Sequence, residues 1–282
     1  MQMDFSPRLA LKVSTLALAM ATASFGTTAV MAAECQLNDA NAKTISGATS
    51  NVKIALACGN AASAGGTNDT VAVGNKANAG MNSAVAVGGQ ANAAGLGSTS
   101  IGWQSKATAE RAQAFGHLAD ASGVRSTAVG EAAMAGGSND TVAVGNKAMA
   151  GMNSATAVGG QANAAGLGST SIGWQSKATG ERAQAFGHLA DASGMRATAV
   201  GEAAMAQGES SIAIGNIAVA GGLNSIAIGN GVKAASKNQI VLGNAGQVQS
   251  STASQTGTVR IVTIDDNGTL GTMLVDYYKS AQ

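Results

Sequence analysis

The figure Thr70-Val71-Ala72-Val73-Gly74 recurs along most of this chain. It returns as Ala84-Val85-Ala86-Val87-Gly88, Ser98-Thr99-Ser100-Ile101-Gly102 and Ala112-Gln113-Ala114-Phe115-Gly116, and later as Ser211–Gly215 and Ser225–Gly229. The closing glycines are Gly59, Gly74, Gly88, Gly102, Gly116, Gly130, Gly145, Gly159, Gly173, Gly187, Gly201, Gly215, Gly229 and Gly243. Successive members are 14 residues apart, except for steps of 15 into Gly74 and Gly145. A fixed period over this length specifies a solenoid, in which each repeat packs only on its neighbours. Composition agrees. With 39 Gly, one Pro, 3% aromatic and 11% charged residues, the chain lacks the bulk for a conventional core and the charge for solvated disorder. A formal net charge of +1 without a basic block gives no electrostatic basis for binding nucleic acid or anionic membrane.

Alignment on the closing glycine exposes four columns. The preceding residue is always apolar (Cys58, Val73, Ile101, Phe115, Leu242), and the one before that is almost always Ala or Ser. Three before the glycine stands Val, Ile, Leu, Thr or Gln, and five after it stands Ala. Alternation along a strand puts Val71 and Val73 on one face and Ala72 on the other. The expectation is that the valine face fills the coil and that the alanine face packs against other chains. Asn, Gly and Ser between the strands supply tight turns. Each coil then reads as two short strands and two turns, an all-β fold. One large apolar residue per coil offsets little of the backbone entropy of ordering fourteen residues, which argues for self-association.

Residues 1–32 read as a secretory signal: Arg8 and Lys12, an apolar run from Val13 to Ala23, and Val30-Met31-Ala32 before a cut. That run is too short to serve as a spanning helix, so no membrane span is expected in the mature chain. Glu34 directly before Cys35 argues against lipidation. Export places Cys35 and Cys58, the two cysteines, where a disulfide is permitted. A bridge across the open end of the solenoid and a buried free thiol at Cys58 both fit.

The repeats resemble the head domains of YadA-like trimeric autotransporter adhesins. The motif Asn/Asp-Ser/Thr-x-Ala-Ile/Val-Gly stands here as Asn224-Ser225-Ile226-Ala227-Ile228-Gly229 and Asp69-Thr70-Val71-Ala72-Val73-Gly74. The resemblance spans about residues 52–246 and implies a left-handed parallel β-roll, assembled as a homotrimer and displayed at the cell surface, on the outer membrane or outside it. It further implies adhesion to host extracellular-matrix proteins, cells or surfaces. Asn238–Asn244 looks like the segment that closes such heads. The 39 residues after Gly243 show no apolar heptads and no series of amphipathic strands, so the resemblance does not extend to a stalk or barrel anchor. Thr258–Asp265, a turn at Asp266-Asn267-Gly268 and Thr269–Val275 read as a hairpin. The division is thus signal 1–32, leader 33–51, head repeats 52–246, and a hairpin or head-to-stalk junction at 247–282.

A second period is longer. Asn68–Ala135 and Asn139–Ala206 lie 71 residues apart and differ only at Asn78/Met149, Val85/Thr156, Ala109/Gly180, Val124/Met195 and Ser126/Ala197. Each copy carries its own 15-residue step, read as a one-residue bulge at a turn. The conspicuous side chains are Trp103 and His117 and their copies Trp174 and His188, all directly after a closing glycine. Stacking of neighbouring coils places Trp103 beside His117, either as an exposed ladder for glycan or protein or as packing at a corner or trimer interface. No Ser-His-Asp set, phosphate loop or metal cluster can be assigned, so no enzyme, cofactor or small-molecule substrate is expected. The leading function is a non-enzymatic adhesin head. The alternative is a structural spacer without a specific ligand.

Overall fold

The computed structural model describes residues 35–37, 49–50, 55–256, 260–266 and 268–274. The expected signal segment and most of the leader lie outside the described residues. The repeats wind into a roll with two parallel sheets, one of 15 strands and one of 14. Each coil gives a longer strand to the first sheet and a two-residue strand to the second, as in Val85–Val87 and Asn92–Ala93. Equivalent residues stack in register: Val85, Ala86 and Val87 lie against Thr99, Ser100 and Ile101. The sequence period is therefore the physical repeat.

Two turns close each coil. Ala77 N–H donates to Gly74 O and Ala84 N–H to Met81 O, both at 3.2 Å. The third turn residues, Lys76 and Ser83, each have φ of 55°, the sign a type II turn requires. Asn, Gly and Ser were the expected turn residues, yet Gln90, Leu118 and even β-branched Ile217 also occupy these positions. The glycines are needed elsewhere. Gly102 has φ +135°, and a Cβ there would lie 2.3 Å from Gly116 O in the next coil. The closing column is glycine because backbone meets backbone along the whole stack.

The faces are reversed relative to the sequence expectation. Ala72, Ala86, Ser100 and Ala114 point inward and are fully buried, whereas Val71, Val73, Val85 and Val87 face outward and are half-buried. Four small residues line each coil, such as Ala77, Ala79, Ala84 and Ala86, all at 0% exposure. With only fourteen residues to enclose it, the lumen is so narrow that methyls and hydroxyls fill it. The larger side chains have nowhere to go but out. Apart from Val232 near the last coil, the described interior is Ala, Ser and Thr.

Both 15-residue steps add their residue in the turn after the short strand. Register is kept across the step, since Ala128 pairs Ala143 and Ala135 pairs Ala150. Gly137 sits at this place, where a Cβ would meet Met152 C at 2.4 Å. At the N-terminal end β1 (Cys35–Leu37) runs antiparallel to the first long strand, with Cys35 opposite Cys58. Cys58 is disulfide-bonded. After the last long strand, Ile240–Leu242, comes a helix the sequence reading missed, α1 (Ala245–Ala253). A capping box starts it: Asn244 Oδ1 accepts from Gln247 N–H, and Gln247 Oε1 accepts from Asn244 N–H, each at 2.9 Å. Arg260–Ile264 and Leu270–Leu274 form the expected antiparallel hairpin. No described helix is long and apolar enough to cross a membrane.

Face assignment makes a paired prediction. Ala128→Val overfills the lumen and should cost about 1–3 kcal/mol in denaturant unfolding. Val129→Leu, enlarging the outward neighbour, should cost clearly less. Equal losses would return the valine column to the interior.

Candidate binding surface

Once the interior is confined to small residues, chemistry is left to the outward columns. The first follows the closing glycine and runs Gly89, Trp103, His117, Glu131, Asn146, then Gly160, Trp174, His188, Glu202, Asn216. Trp103 and His117 stack with ring centroids 5.0 Å apart at 22°, and Trp174 and His188 do so at 5.0 Å and 19°. The expected adjacency of these rings is present in both copies.

The stack continues beyond what the sequence reading named. His117 Nδ1 lies 3.6 Å from Glu131 Oε1, and Asn146 Nδ2 donates to Glu131 Oε2 at 3.0 Å. In the second copy His188 Nδ1 lies 3.5 Å from Glu202 Oε1, and Asn216 Nδ2 donates to Glu202 Oε2 at 3.2 Å. Each ladder thus reads Trp–His–Glu–Asn. Counting on by one further coil from His117 would have found Glu131, but a lone Glu in a turn carries no signal until the column is followed.

Local sequence holds the indole in place. Ser105, inside the Trp103 coil, donates to Gly102 O at 3.0 Å, and its Oγ lies 2.7 Å from Ser100 Oγ. These hydroxyls brace the turn on which Trp103 rides, and Ser171, Gly173 and Ser176 repeat the brace under Trp174. Above Trp103 lies Gly89, where a Cβ would come within 3.0 Å of the indole Cδ1. Glycine there makes room for the ring. Beside it, Gln104 Nε2 donates to Gln90 Oε1 at 3.0 Å, matched by Gln175 to Gln161 at 2.9 Å. Trp103 and Trp174 each remain 47% exposed.

Two further surfaces stand out. The outer face of the long-strand sheet is an apolar stripe in which Ile101, Ile172 and Ile228 are each 39% exposed. On the other turn edge Arg125 grips Asp140 through Nε–Oδ1 at 2.7 Å and a second bond at 2.8 Å. This pair holds the Asp140 carboxyl below its ordinary range and raises Arg125. Both groups face solvent, so the pair adds little to stability. Among the described residues no three His, Cys, Asp or Glu side chains gather as a metal site.

The YadA head domain repeat matches residues 79–105, 93–119, 121–148, 150–176, 178–202 and 206–231, together just over half of the chain. The chain belongs to the YadA head-repeat family. The YadA head repeats here are the same coils that carry both ladders. Among solved structures, the collagen-binding domain of the Yersinia adhesin YadA is similar at 20% identity, covering 76% of this chain and 79% of that one, with a TM-score of 0.21. No curated protein matches.

If Gly89 seats the indole, Gly89→Val should push it outward. In a Trp174→Phe background, acrylamide quenching of Trp103 fluorescence should rise while the circular dichroism spectrum is unchanged. Unaltered quenching would show that the indole does not rest on this glycine.

Proposed function

We propose that the protein is the head of a trimeric surface adhesin, a non-enzymatic module that attaches to host matrix, cells or other surfaces. The observation that carries this reading is the outward apolar stripe. Fourteen coils would extend it about 65 Å at strand spacing. Soluble monomers rarely leave so long an apolar strip uncovered. Three copies burying their stripes together would supply the apolar burial that the alanine lumen cannot. The interface assigned to the alanine face from sequence moves to the opposite face of the same strands, and the trimer remains the assembly that fits. Membership in the YadA head-repeat family supports the adhesive role, and collagen-type matrix is one candidate target given the similar YadA domain.

Export by residues 1–32 and display outside the cell complete the reading. In that compartment the leader is stapled by Cys35–Cys58, a reading supported by their direct opposition in the antiparallel pair and by the presence of only two cysteines. Antiparallel β1 also covers the sheet edge that would otherwise offer a template for another strand.

Light scattering of the purified protein should give three times the chain mass. Replacing Ile214 and Ile228 together by Glu should shift it to monomer, since charges cannot be buried unpaired at such an interface. A folded monomer from the unaltered chain would overturn the trimer. Non-reducing peptide mapping should recover the Cys35 and Cys58 peptides linked, and reduction should cost about 3 kcal/mol for a loop of this size.

A further inference from the structure

We propose that the two Trp–His–Glu–Asn ladders are paired sites for a neutral polysaccharide of gluco-configured pyranoses, one sugar face seated on each indole. The proposal gives the adhesin reading a ligand class, and it rests on that reading only for its biological setting.

The chemistry at each ladder points to sugar. His117 covers one side of the Trp103 indole, and on the other side the column has glycine, Gly89. Gly89 and Gly160 are the only glycines of this column between Asn60 and Asn244, and each precedes a tryptophan. An aromatic face of this kind takes the axial C–H face of a pyranose. Beside it the Gln90–Gln104 amide pair offers both donors and acceptors. Sugar hydroxyls need that mixture. A polyanion would need clustered cations, but the ladder presents His117 against Glu131 instead.

Spacing supplies the second argument. The ladders recur 71 residues apart, five coils along one edge, or about 24 Å at strand spacing. A stiff, repetitive chain running along the roll could occupy both at once. Two weak contacts on one ligand multiply, so affinity should rise steeply once the ligand spans the gap. Trimer formation would set three such edges side by side.

The chain has only two tryptophans, both in the ladders, so intrinsic fluorescence reports the sites directly. Oligomers of β-linked glucose and of N-acetylglucosamine, from disaccharide to octasaccharide, are titrated into the trimer. Emission should change with at least one series, and affinity should rise about a hundredfold between the shortest and the longest. Trp103→Ala and Trp174→Ala should each abolish the length dependence while the remaining site binds short sugar, and the double variant should bind none. Gln104→Ala, which leaves the indole, should weaken the first site at least fivefold.

Absence of any fluorescence change with both series would overturn the proposal. So would binding that survives the double variant, or indoles shielded from acrylamide in the trimer. Loss of binding to immobilised collagen in the double variant, without sugar binding by the parent, would assign the ladders to a protein ligand and likewise overturn it. Cell attachment and trimer mass are measured on the same variants. If both persist while sugar binding is absent, the ladder proposal fails and the adhesin reading stands. If the parent neither trimerises nor attaches, the adhesin reading itself fails.

Discussion

Everything in this molecule depends on how closely one coil lies on the next. The closing glycines bring backbone against backbone, and a Cβ at Gly74 would sit 2.4 Å from Gly88 O. Fourteen residues closed that tightly enclose a lumen with room for four small side chains. The fold is therefore held by a continuous hydrogen-bond ladder and a column of methyls rather than by a bulky core. Single alanines such as Ala86 and Ala128, at 0% exposure, then matter as leucines do in ordinary domains.

A lumen filled by alanine turns the familiar division of labour inside out. Val, Ile and Phe on the long strands are excluded from the interior and form an outward stripe, so the chain is built with its largest apolar surface unsatisfied. In the proposed trimer, that surface would supply the energy of assembly. The same logic explains the ends. An N-terminal strand covers one sheet edge, while at the other Asn244 and Gln247 start a helix with no buried residue.

Much of this was legible in the sequence, and the failures are instructive. The 14-residue period gave the coils, their register and the adjacency of Trp103 and His117, because stacking order follows directly from spacing. Alternation separated Val71 from Ala72 correctly but could not say which pointed inward. The usual rule that large apolar residues go inside was applied to a coil too narrow to obey it. Helix α1 went unseen because its residues, Ala245–Ala253, show no apolar periodicity and only a capping box marks its start. Turn residues such as Leu118 and Ile217 give no hint of positive φ, since the turn is imposed by the coils on either side.

The same constraint explains where binding can be encoded. A substitution in the lumen disturbs packing through several coils, whereas the residue after each closing glycine faces solvent and contacts only its column neighbours. That position accepts Gly, Trp, His, Glu and Asn within five successive coils. Duplication of a 71-residue block copies such a patch with its brace intact: Ser100 and Ser105 under Trp103 reappear as Ser171 and Ser176 under Trp174. Because the roll is straight in register, the copy emerges on the same edge at a set distance. Only five positions of the block have diverged, among them the inward Ser126/Ala197 and the outward Val85/Thr156, so both ladders come through with the ring stack intact.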